Sequence, residues 1–132
     1  MQRKFRLTRS EDFKRVRRSG KSYAHPLVVL IVQTHDPQST TAPHAFGGDP
    51  VDQPRIKIGV AAGRTVGTAV TRNRAKRLLR EAIRPLIPNI ASSLDLILIA
   101  RPGLVSATLE ETRQALLNLL KRAQILIPLN ES

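Results

Sequence analysis

Cysteine and tryptophan are absent from this chain of 132 residues, and methionine and tyrosine occur once each. Without thiols there is no disulfide and no thiolate metal site. Aromatic residues make up only 3% of the chain, so the core of a single compact domain must come from leucine, isoleucine, valine and alanine. No apolar run approaches the roughly 18–20 residues of a membrane-spanning helix. The charged start, Met-Gln-Arg-Lys-Phe-Arg, is not followed by the apolar stretch of a secretory signal. A cytoplasmic protein is expected. Catalytic constellations are lacking too. The ten carboxylates are scattered, and His25, His35 and His44 lie in or beside loops. Ser10, Ser19 and Ser22 have no obvious base. Gly47-Gly48 and Gly59, Gly63 and Gly67 do not spell a phosphate-binding loop. No metal site and no catalytic residue is expected in the protein itself.

What the chain has is positive charge, +12 in all, and its placement is informative. Residues 1–22 carry +7 and residues 55–85 carry +8, whereas 34–54 carry −3 and 86–132 are neutral. Charge concentrated in two segments repels itself, and a polyanion answers it best. A membrane surface fits poorly, because no helix pairs these charges with bulky exposed apolar residues. Nucleic acid is the expected partner.

Thr8-x-x-Glu11 has the form of a capping box opening a helix to about Arg18, with Phe13 and Val16 on its apolar face and Gly20 as its stop. Leu27–Val32 is short, continuous and β-branched, the pattern of a buried strand. A short extra strand fits near Gly20–Ala24. Residues 34–54 hold four prolines and a Gly-Gly pair and read as a flexible insertion between strands. Arg55–Ala62 alternates in the manner of a half-buried strand. Gly63, Thr65 and Gly67 suggest a flexible link to a helix capped by Thr68 or Thr71 and stopped by Pro85. Leu94–Ala100 is another core strand. Thr108-x-x-Glu111 is a second capping box, and the last helix runs to about Gln124 with Leu109, Leu116, Leu120 and Ala123 on one stripe. The order helix–strand–strand–helix–strand–helix predicts a two-layer α/β (α+β) sandwich in one domain, residues 1–132.

The segment Arg72–Arg84 divides cleanly at helical spacing. Ala75, Leu78, Leu79, Ala82 and Ile83 share one face, and Arg72, Lys76, Arg80 and Arg84 form a stripe on its flank. Like charges four apart on a helix repel by roughly 0.2–0.5 kcal/mol per pair, and only Arg77–Glu81 offers compensation. Phosphates would reverse that sign. Arginine outnumbers lysine here five to one. A guanidinium binds phosphate bidentately and stacks on bases, which an ammonium does not.

Arg72-Asn73-Arg74 followed by Lys76-Arg77-Leu78-Leu79-Arg80-Glu81 closely resembles the signature helix of bacterial ribonuclease P protein components. Leu7-Thr8, Asp12-Phe13, Val16 and Gly20 resemble the opening of that family. Ile58-Gly59-Val60, Val66-Gly67, Ala69-Val70 and Leu98-Ile99-Ala100-Arg101 are similar to its later landmarks. The resemblance implies a fold related to a ribosomal-protein domain, with a left-handed strand–helix–strand crossover. It implies binding to a catalytic RNA through Arg72, Asn73, Arg74, Lys76, Arg77 and Arg80. It further implies assistance in Mg²⁺-dependent removal of the 5′ leader from precursor tRNA, with catalysis in the RNA and the Mg²⁺ held mainly by the RNA. No obligate protein partner is evident from the sequence.

A cleft between the first helix and the sheet would hold the leader. Phe13 matches an aromatic position there or is simply a core aromatic. Arg17 stands where the family often has a second ring, and Leu30 fills a strand site that can be aromatic. The basic candidates for the cleft are Arg15, Arg17, Lys57 and Arg64. Two readings from other classes stand beside this one: a structural RNA-binding protein of ribosome or assembly type, and a free-standing nuclease.

Overall fold

The computed structural model describes residues 6–7, 10–34, 56–91 and 94–126. Helix α1 (Ser10–Ser19) is followed by strands β1 (Lys21–Ala24), β2 (Val28–Thr34) and β3 (Ile56–Ala62). Helix α2 (Ala69–Ile83), strand β4 (Leu94–Ala100) and helix α3 (Leu109–Arg122) complete the order. The strands form one sheet in the order β1-β2-β4-β3, with β1–β2 and β2–β4 antiparallel and β3–β4 parallel. Arg6 bridges in parallel to Ile58, and the Leu7 N–H donates to the Ile58 carbonyl at 2.8 Å, so Arg6 and Leu7 lie along the outer edge of β3.

The period of two along each strand decides which face each side chain covers. Val28, Leu30 and Val32 of β2, Ile56 and Ile58 of β3, and Leu94, Leu96 and Leu98 of β4 join the larger core. Ala75, Leu79, Ala82 and Ile83 of α2 pack there together with Ala115, Leu116, Leu119 and Leu120 of α3. The opposite face carries a smaller cluster in which Leu7, Val16, Ile31 and Ile97 are buried, with Phe13, Val29 and Ile99 packed against it. The fold is the expected α/β sandwich, and among the described residues α1, together with Leu7, covers part of the second face. That partial cover leaves open sheet beside α1.

Local signals explain the element ends. Thr68 caps α2 by accepting the Thr71 N–H. Thr108 and Glu111 form the complete reciprocal capping box of α3. Such a cap contributes about 0.5–2 kcal/mol. Pro85 does not release the chain but turns α2 into a 3-10 segment, Arg84–Asn89.

Several expectations need correction. The link at 63–67 is a 3-10 turn, Arg64–Val66, anchored by buried Val66. Strand β2 runs to Thr34 rather than Val32. Helix α3 ends at Arg122, and Gln124 adopts φ 61°, a left-handed residue that stops the helix. Leu109 is 39% exposed, because the first turn of α3 projects beyond the core that Leu116 and Leu120 enter. Thr8 of the first capping box and residues 35–54 of the insertion lie outside the described residues.

Candidate nucleic-acid interface

Helix α2 presents its two faces as its sequence requires. Ala75, Leu79, Ala82 and Ile83 are buried, and Leu78 is half-buried against them. Asn73, Arg74, Arg77 and Arg84 are exposed, whereas Arg72, Lys76 and Arg80 are half-buried along the flank. The expected Arg77–Glu81 pair is not made. Glu81 reaches toward Arg84 instead, at a loose 3.9 Å. Among the described residues, Arg72, Arg74, Lys76, Arg77 and Arg80 have no carboxylate partner. The Arg72 Nε is buried without a hydrogen-bond partner. Among the described residues, the helix therefore offers a run of cations that no carboxylate compensates.

The open sheet beside α1 brings part of the second set of candidates together. The Phe13 ring lies on Gly59 of β3 so closely that a Cβ at Gly59 would stand 2.4 Å from its Cζ. Glycine is required there by that approach. Phe13 is half-buried, packed on the smaller core yet lining a cavity of about 220 Å³ with Leu7, Ile58 and Val60. It is core aromatic and cavity wall at once.

The basic candidates differ among themselves. Arg15 donates to Asp95 at 2.5 Å and lies 3.4 Å from Asp12, so its charge is largely met inside the protein. Asp95 is only 2% exposed, near the start of β4, which makes the pair a tie between α1 and the sheet. Lys57 stands opposite Asp95 in the β3–β4 register. Arg17, one turn beyond Phe13 on α1, is exposed. Arg64 is exposed in the 3-10 turn that follows β3, near the start of α2 rather than within the cavity.

Two residues change the picture. The cavity beside Phe13 is also lined by Arg80 of α2 and by Arg6 of the N-terminal edge segment. Burial, and secondly the charge of Arg6, lowers the proton affinity of the Arg80 guanidinium. The helix and the cleft, which read as separate sites in the sequence, thus meet at this cavity. Arg6 was not among the candidates. The only sequence signal for it is the high positive charge of residues 1–22, and its pairing with β3 cannot be seen in a one-residue bridge.

Fold and site define a class: a small α/β sandwich with a basic helix beside a cleft of like charge. The Ribonuclease P family model matches residues 1–124. The ribonuclease P protein component of Herpetosiphon aurantiacus is 38% identical over 125 residues, covering 95% of this chain and 89% of the relative. That of Brevibacillus brevis is 35% identical over 126 residues, covering 96% and 88%. Among solved structures, the RNase P protein of Thermotoga maritima is similar with a TM-score of 0.68 and 26% identity, over 89% of this chain and 96% of that one. The Staphylococcus aureus RNase P protein shares the fold with a TM-score of 0.71 at 24% identity, over 92% and 97%. The chain belongs to the family of ribonuclease P protein components.

Proposed function

We propose that this chain is the protein subunit of a ribonuclease P that removes the 5′ leader of precursor tRNA. In this reading the exposed side of α2, with Asn73, Arg74 and Arg77 at its centre, binds phosphates of the catalytic RNA, flanked by Arg72, Lys76 and Arg80. The cleft between α1 and β3, walled by Phe13 with Arg17 and Lys57 as its basic candidates, takes the single-stranded leader, and Arg64 stands beyond it near the start of α2. Arg15, tied to Asp95, holds the cleft wall rather than the RNA. The carrying observation is the row of α2 cations without carboxylate partners among the described residues. Their mutual repulsion is relieved when phosphates bind.

Mg²⁺ and the hydrolytic step belong to the RNA in this reading. No three His, Asp or Glu side chains among the described residues cluster closely enough to hold a metal ion. No helix among the described residues is long and apolar enough to cross a membrane. The test is reconstitution. Freed of all RNA, the chain leaves precursor tRNA intact. With a bacterial ribonuclease P RNA it restores leader removal at a low Mg²⁺ concentration where the RNA alone is slow. Cleavage by the RNA-free chain, or failure to stimulate the RNA, overturns the proposal.

A further inference from the structure

Arg6 and Arg80 arrive at one cavity from distant parts of the sequence. Arg6 is delivered by the edge pairing with Ile58, and Arg80 by the flank of α2. The remaining lining residues, Leu7, Phe13, Ile58, Gly59 and Val60, are uncharged. Among the described residues neither guanidinium has a carboxylate partner, and the Arg6 Nε is buried with no hydrogen-bond partner. Both side chains are only half-exposed, so water compensates them incompletely. Two like charges lining one partly dehydrated cavity repel, and an anion between them relieves that repulsion. The cost falls on Arg80, whose protonated form burial and the Arg6 charge disfavour.

We propose that Arg6 and Arg80 form a two-arginine clamp for one RNA backbone phosphate, seated beside Phe13 where the α1 cleft meets α2. This deepens the ribonuclease P reading and rests on it for the identity of the RNA. Each planar fork presents parallel N–H donors to an oxyanion. The Phe13 ring, one wall of the same cavity, offers an apolar surface to the nucleotide that carries the phosphate. A cavity of about 220 Å³ has room for a phosphate group and its waters. The clamp also makes Arg80 an inward-facing member of the helix, distinct from the exposed Arg74 and Arg77.

The experiment has two arms on the full chain. In the first, the arginine Nε–H resonances are followed by NMR during titration with inorganic phosphate. Those of Arg6 and Arg80 shift together along one binding curve, and Arg6→Gln abolishes the Arg80 shift. In the second, Arg6→Gln, Arg80→Gln and the double variant are reconstituted with a bacterial ribonuclease P RNA. Each single variant weakens RNA binding about tenfold, the double variant little more, and the salt slope falls by about one. A loss confined to precursor tRNA assigns the phosphate to the leader, and a loss in affinity for the catalytic RNA assigns it there. Thermal melts confirm folding, and Arg6→Lys and Arg80→Lys recover part of the binding through charge alone. Unmoved Nε–H signals, or additive losses with an unchanged salt slope, overturn the clamp while leaving the ribonuclease P reading intact. Phosphate shifts in a chain that does not stimulate the RNA would instead uphold the clamp and sink that reading.

Discussion

At the residue scale, the same kind of side chain serves opposite ends depending on its neighbours. Arg15 and Arg17 are two positions apart on α1, yet Arg15 meets buried Asp95 whereas Arg17 faces solvent. Charge alone makes them equal candidates for RNA. Geometry separates them. Because Asp95 is 2% exposed while Arg15 is 39% exposed, the pair is half-dehydrated, and breaking it costs more than breaking a surface ion pair. Arg15→Met keeps most of the aliphatic stem and removes the charge-assisted hydrogen bond. It should destabilise the fold by about 1.5–3 kcal/mol in urea unfolding. Arg17→Met should change stability by no more than about 0.5 kcal/mol, as exposed substitutions usually do. Equal and small losses from both would show that Arg15 does not tie α1 to the sheet. Phe13 teaches a related lesson. Its ring is fixed by contact with Gly59, a glycine 46 positions away in the chain. No local pattern announces that contact, so the choice between core and cleft could not be made from the sequence.

At the scale of elements, legibility tracks how local the determining forces are. The buried face of α2 was readable because helical spacing alone gathers Ala75, Leu79, Ala82 and Ile83. Strand β4 was readable from end to end because it is central in the sheet and buried on both faces, which makes it a continuous apolar run. The capping box of α3 was equally plain, since both partners lie within one turn. What stayed hidden was settled by distant contacts: the bridge of Arg6 to β3, the inward turn of Arg80, and the exposure of Leu109. The exposed cations on the outer side of α2, which have no carboxylate partner among the described residues, give a prediction at this scale. Arg74 and Arg77 are exposed, so Arg74→Ala and Arg77→Ala should both melt close to the parent. Each should weaken affinity for the catalytic RNA severalfold and lower its salt slope by about one for every phosphate no longer neutralised. Lys121→Ala, an exposed cation on α3, is the control and should do neither. Equal effects at all three positions, measured by filter binding across a salt series, would mean that α2 is no special surface.

At the scale of the molecule, folding turns two basic stretches of sequence into one surface. Residues 1–22 and 55–85 hold an excess of +15 between them, while the C-terminal portion from 86 onward is neutral. The pairing of Arg6 with β3 and the packing of α2 beside that strand bring members of both stretches to a common cavity. Such gathering opposes folding through self-repulsion, and a polyanion that prefers the gathered arrangement must stabilise the native state. A ligand at a hundred times its Kd adds up to about 2.7 kcal/mol when it ignores the unfolded chain. For a domain of this size that corresponds to a rise in Tm of roughly 10 °C. The unfolded chain keeps its +12 and also attracts RNA, so the expected rise is smaller than this limit but well above zero. Scans with saturating catalytic RNA in low salt should show it, and it should shrink steadily as salt is added, because counterion release drives the binding. A Tm unmoved by RNA would mean that folding adds nothing to the attraction of the bare charges. The basic surface would then be a property of the composition and not of the fold.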